Sequence, residues 1–140
     1  MQLDIQTGIV LTSGEGRFDA SVSRSQFLSS ARGIDAKVGT KNEPWCSFSV
    51  QVPGESMGLS LQFTGEQLEN VSITSNDPAF GSTWADWSLE KEMARKAVHD
   101  AWLLSQGAHH GDTFHWGTVL SDFDPKGGFS SIVIRFFHAT

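Results

Sequence analysis

Two stretches decide the fold: SLEKEMARKAVHDAWLLSQG at residues 88–107 and SDFDPKGGFSSIVIRFF at residues 121–137. In the first, Ser88 is a good N-cap, because its hydroxyl can accept from a free first-turn amide. Glu90 and Glu92 follow where carboxylates suit the helix dipole. Leu89, Met93, Ala97, Ala101 and Leu104 recur at spacings of three and four, flanked by Ala94 and Val98, with Lys91, Arg95, Lys96 and His99 on the other side. This pattern predicts a helix as far as Ser105 or Gln106, stopped by Gly107, that buries its aliphatic stripe and turns its charges to water.

In the second stretch, Asp124-Pro125-Lys126-Gly127-Gly128 is a turn, since Pro presets φ and Gly tolerates positive φ. It joins a strand at residues 114–123 to one at 129–138, where Ile132, Ile134 and Phe136 alternate with Ser131, Val133, Arg135 and Phe137. Working upstream, Cys46, Phe48, Val50 and Val52 share one parity, with Trp45, Ser47, Ser49 and Gln51 on the other. Leu59, Leu61 and Phe63 alternate with Ser60, Gln62 and Thr64, and Val71 and Ile73 with Ser72 and Thr74. Period-two patterns of this kind predict an antiparallel meander with one apolar face and one polar face.

Around this frame, residues 3–12 and 17–23 flank Ser13-Gly14-Glu15-Gly16 and read as a hairpin. Ser23 with Gln26 matches the capping box of a short helix ending near Gly33. Residues 34–44 have no period and read as an exposed loop, and Asn76 to Gly81 breaks the sheet. Trp84-Ala85-Asp86-Trp87 reads as a staple packing the helix entry on the sheet, and Trp102 and Trp116 as core. The expectation is an α+β single domain over residues 1–140: one antiparallel sheet of about six to seven strands, one long helix on one face and one short helix.

Composition narrows the function classes. A chain of 140 residues can bury one sizeable core. No segment approaches the ~18 apolar residues of a membrane span, and Met1-Gln2-Leu3-Asp4 lacks a basic n-region, so a cytoplasmic chain without a signal is expected. The lone Cys46 allows no intrachain disulfide and no cysteine-based zinc site. A net charge of −6, from 16 acidic and 10 basic residues, argues against nucleic acid and favours a partner with a basic surface.

Chemistry is harder to place. His109, His110, Asp112 and His115 are metal-ligand types, but their spacing suits a polar loop, and the sequence does not decide whether they bind metal. Asp122, Asp124, Glu90 and His99 are acid–base types that nothing in the residue order brings together; Asp124 is explained by its turn and Glu90 by its helix start. Cys46 lies on the apolar parity of its strand, and no nucleophile elbow or phosphate loop is present. An enzyme is therefore not favoured, and no catalytic residue, metal or cofactor is assigned.

The polar parity remains. Trp45, Ser47, Ser49, Gln51, Ser60, Gln62 and Thr64 would form a rigid surface of mostly short hydrogen-bonding side chains, inexpensive in side-chain entropy to bury against another protein. The residues Trp84 to Glu90, the helix through Trp102 and Leu103, Phe114-His-Trp-Gly-Thr-Val119 and Ser121 to Ile134 resemble the C-terminal half of small bacterial proteins. Some of these are similar to immunity proteins that accompany antibacterial toxins. The resemblance covers about two-fifths of the chain. It implies a non-enzymatic, acidic, cytoplasmic binding module that neutralises a cognate toxin by occluding its active site, and it carries over no specific binding residue. The alternative is a small-molecule-binding protein or hydrolase with a pocket between helix and sheet, using Asp122, His115 or Glu90. A third expectation is self-association, since sheet edges must be paired or covered.

Overall fold

Seven antiparallel strands form the sheet that the alternating segments predict. The computed structural model describes residues 1–14 and 16–138, with side chains at all of these except 31 and 34. In chain order come β1 (Gln2–Leu3), β2 (Val10–Leu11), β3 (Arg17–Phe18), α1 (Arg24–Ser29), α2 (Ala31–Ile34), β4 (Lys37–Asn42), β5 (Trp45–Val50), β6 (Met57–Thr64) and β7 (Gln67–Ser75). Short 3-10 turns at Pro78–Phe80 and Trp84–Asp86 lead into α3 (Leu89–Ser105), followed by β8 (Thr113–Phe114), β9 (Gly117–Asp124) and β10 (Phe129–Phe136). The large sheet has the order β4-β5-β6-β7-β10-β9-β8, so the chain is α+β.

The turn at 124–128 closes as its residues dictate. Gly128 donates its amide to the Asp124 carbonyl at 2.7 Å, and the Asp124 carboxylate accepts from the Lys126 amide at 2.9 Å. Gly128 sits at φ 74°, a left-handed dihedral that favours glycine, with the Trp87 ring in ordinary contact 3.4 Å from where a Cβ would lie. Both helix caps also form: the Gln26 amide donates to Ser23 Oγ, the Ser23 amide to Gln26 Oε1, and the Lys91 amide to Ser88 Oγ, each at 3.1 Å.

Among the described residues, everything that covers the large sheet lies on one side of it. Phe27 of α1 packs against Phe48 of β5 and Phe63 of β6, with ring centroids 5.6 and 5.9 Å apart, and Phe18 of β3 closes behind it. Helix α3 lies over β7, β10 and β9 on the same flank. Leu61, Val71, Ile73, Val119, Ile132 and Ile134, all fully buried, fill the layer between.

Several expectations need correction. The N-terminal hairpin does form, between β2 and β3, but with β1 it makes a separate three-stranded sheet of two-residue strands rather than part of the main one. Glu15 of its turn lies outside the described residues. The short helix breaks at Ser30, whose hydroxyl caps the Gly33 amide and starts α2. Residues 37–42 are not a loop but the edge strand β4, exposed on both faces; with neither face buried, no alternation betrays it. The strand expected over 114–123 doubles back at His115-Trp116, pairing Thr113 with Thr118.

The largest correction concerns α3. Its stripe of Leu89, Met93, Ala97, Ala101 and Leu104 faces water, while Glu92, Arg95 and His99 are buried with Leu103. The reason lies in the strands. Ser75, Ser121 and Ser130 fall on the inner parity beneath the helix and are buried, and buried polar groups require polar partners. Trp84 is also not core: it is 68% exposed and packs edge-on against Phe129, whereas Trp87 is half-buried and donates Nε1–H to the Gly128 carbonyl.

Candidate interaction surface

The uncovered flank of the sheet is built by cross-strand register. Ser47 of β5 pairs with Gln62 of β6, Gln62 with Asn70 of β7, Asn70 with Arg135 of β10, and Arg135 with Thr118 of β9, so these side chains form one row across five strands. The next row is Ser49, Ser60, Ser72, Val133 and Leu120. At the corner, Trp45 opposes Thr64 and is 57% exposed. The polar parity expected from sequence thus faces outward, with one qualification: Ser47 is almost enclosed, accepting at Oγ from the Thr40 amide at 2.8 Å. Gln51 lies just past the end of β5, exposed, and accepts from the Asn76 side chain at 3.4 Å.

A depression of about 400 Å3 sinks into this face between Trp45 and Arg135, lined also by Thr40, Ser47, Gln62, Thr64, Glu69 and Asn70. Asn70 donates Nδ2–H to Gln62 Oε1 at 2.9 Å, while its own Oδ1 is buried without a partner among the described residues. Arg135 and Glu69 bring one charge of each sign to the rim. The sequence reading did not single out Glu69, Asn70 and Arg135. Arg135 sits on the legible outer parity of β10 and Asn70 on that of β7 with Ser72 and Thr74; just past Asn70 a register shift between Gln62 and Phe63 turns Leu68 inward and leaves Glu69 without a cross-strand partner on β6, and no alternation announces that.

On the opposite flank, α3 and the sheet share a buried polar network. Glu92 Oε1 accepts from Arg95 Nη1 at 2.6 Å, and its Oε2 accepts from the Ser130 amide at 3.0 Å and hydroxyl at 3.2 Å. Arg95 also donates Nη2–H to the Phe80 and Gly81 carbonyls. His99, with no exposed surface, accepts the Ser75 amide at Nε2 at 2.9 Å, which leaves the proton on Nδ1. Burial, reinforced by the Arg95 cation, pushes the His99 imidazole down to about 4. Beside the network, a cleft of about 370 Å3 is lined by Phe80, Trp84, Trp87, Phe129, Thr74, Glu92 and Arg95.

The remaining candidates are dispersed. His109 Nδ1 lies 3.6 Å from Asp112, but His110 Nδ1 accepts the Ser121 amide and His115 is exposed in the β8–β9 turn. Among the described residues no three His, Cys, Asp or Glu side chains gather as metal ligands. Asp122, Glu90 and His115 sit exposed on β9, on α3 and in a turn, none lining the helix–sheet cleft. Cys46 is buried on the inner parity, with its Sγ 3.0 Å from Arg24 Nη1. No helix is long and apolar enough to cross a membrane.

Comparison with family models, with curated proteins and with solved structures yields no match.

Proposed function

We propose that the chain is a non-enzymatic protein-binding module that docks a cognate basic protein on its open sheet face, in the manner of an immunity protein occluding a toxin's active site. One observation carries this reading. Among the described residues a seven-stranded sheet is covered on one flank, and its other flank presents Trp45, largely exposed, beside a depression of about 400 Å3 in a field of Ser, Thr, Gln and Asn. Aromatic anchors beside a receptive hollow, ringed by adaptable polar groups, are how protein interfaces concentrate their affinity. The −6 charge would steer a basic partner toward the chain and make association faster at low salt.

The test is co-expression with the product of the adjacent gene. A stable complex and rescue of growth support the proposal, and Trp45→Ala should weaken the complex by about 2 kcal/mol, or roughly 30-fold, while leaving the fold intact. No complex together with no rescue would reject it.

A second reading, small-molecule binding between helix and sheet, is favoured by the cleft at Trp84, Trp87 and Phe129, although not through Asp122, His115 or Glu90. Its aromatic walls suit a flat or saccharide-like ligand. Quenching of tryptophan fluorescence by such a ligand, abolished in Trp84→Ala, would support it.

A further inference from the structure

Glu69 and Asn70 are consecutive in β7, yet both line the hollow on the open face, whereas successive side chains of a regular strand point to opposite faces. A bulge makes this possible. Gln62 pairs with Asn70 and Phe63 with Leu68, so Glu69 is the extra residue between them. Bulges are common beside active sites, where they re-aim a side chain. Opposite Asn70 on β10 stands Arg135, which lines the same hollow. Among the described residues neither Glu69 nor Arg135 forms an ion pair, with the other or with any third group.

Asn70 itself is 8% exposed, gives its Nδ2–H to Gln62 Oε1, and keeps Oδ1 buried with no donor among the described residues. A buried acceptor without a proton is costly, so this hollow is complete only with a ligand that donates. The two charges narrow the choice further. A simple cation would meet Arg135 and a simple anion would meet Glu69, each a like-charge contact that counts against it. A molecule with a cation at one end and an anion at the other satisfies both residues at once.

We propose that the hollow binds a small zwitterion of the amino-acid or dipeptide class. Its carboxylate meets the Arg135 guanidinium, whose planar fork of donors matches two carboxylate oxygens. Its ammonium meets the Glu69 carboxylate and donates to Asn70 Oδ1, supplying the missing proton. Its side chain lies against Trp45, a 57% exposed ring that favours an aromatic or other apolar neighbour. The volume of about 400 Å3 falls within the roughly 300–1,000 Å3 of small-molecule sites. This goes beyond the docking reading and does not depend on it, although a protein seated on Trp45 and a ligand in the hollow would compete.

The test is titration calorimetry on the full chain with L-phenylalanine and glycyl-L-phenylalanine, which carry their two charges at a short and a long separation. The expected result is saturable binding of at least one of them, which fixes the separation the hollow accepts. For that probe, acetylating the amine or amidating the carboxylate should each weaken binding by about tenfold or more. Glu69→Gln should abolish the penalty for acetylation and keep that for amidation; Arg135→Gln should do the reverse. Unchanged circular dichroism confirms that each variant is folded. No binding of either probe, blocked probes that bind as well as their parent, or variants that leave both penalties in place would each overturn the proposal. None of these measurements includes a partner protein, so their failure leaves the docking reading standing, and failure of the docked complex leaves this one.

Discussion

Over β5 and β6 the covered face of the sheet meets Phe27, Phe18 and their ring contacts with Phe48 and Phe63; over β7, β10 and β9 the same face meets Glu92, Arg95 and His99. One continuous sheet is thus sealed by two kinds of chemistry. In the aromatic half, stability comes from area removed from water and is insensitive to pH. In the polar half, each group must find its partner, since an orphaned charge or amide there is more expensive than the net gain of the bond it makes. The comparison teaches that the periodicity of a helix reports how its residues are distributed, and the partner surface decides which side turns inward.

The difference can be broken one side chain at a time. Arg95→Leu leaves the Glu92 carboxylate buried without its cation and should destabilise by about 3–5 kcal/mol in urea unfolding. Adding Glu92→Met should recover only part of that loss, because it removes the orphaned charge but leaves the buried Ser130 amide and hydroxyl without their acceptor. Phe63→Ala should be as damaging, about 3–5 kcal/mol, but no second substitution at a polar site should rescue it.

Acid should separate the halves next. His99 titrates near 6.5 when unfolded and about 4 when folded, so the unfolded state takes up the proton first as pH falls. Its contribution is complete above pH 6.5 and is lost on going down to pH 4, amounting to about 3 kcal/mol. The stability difference between the wild type and His99→Gln, followed across that window, should carry this slope; Phe63→Ala should retain it. The smallest effect belongs to the outward stripe. Leu104→Ala, at a position 60% exposed, should change unfolding free energy of the monomer by no more than about 0.5 kcal/mol, where the sequence pattern alone would place a core leucine.

Much of this architecture was legible because its signals are local. The Asp124–Gly128 turn, the Ser23 and Ser88 caps and the alternation along β5 and β6 depend on residues within a few positions of one another, and all form. The inward side of α3 was not legible, because it depends on Ser75 and Ser130, which lie 24 positions before His99 and 38 beyond Glu92. Edge strand β4 was hidden by having two wet faces. On the sheet's open side, Ser49, Ser60, Gln62 and Thr64 could be read from parity, and Asn70 shares the parity of Ser72 and Thr74, whereas Glu69 sits at a bulge that alternation does not encode.

The most direct test of this inside-out helix is the NMR titration of the His99 ring. The structure requires a neutral imidazole with its proton on Nδ1 and Nε2 accepting from Ser75, holding unchanged through pH 6.5 and protonating only near 4. A His99 that titrates near 6.5 with ordinary solvent exposure would mean that the charged face points outward after all.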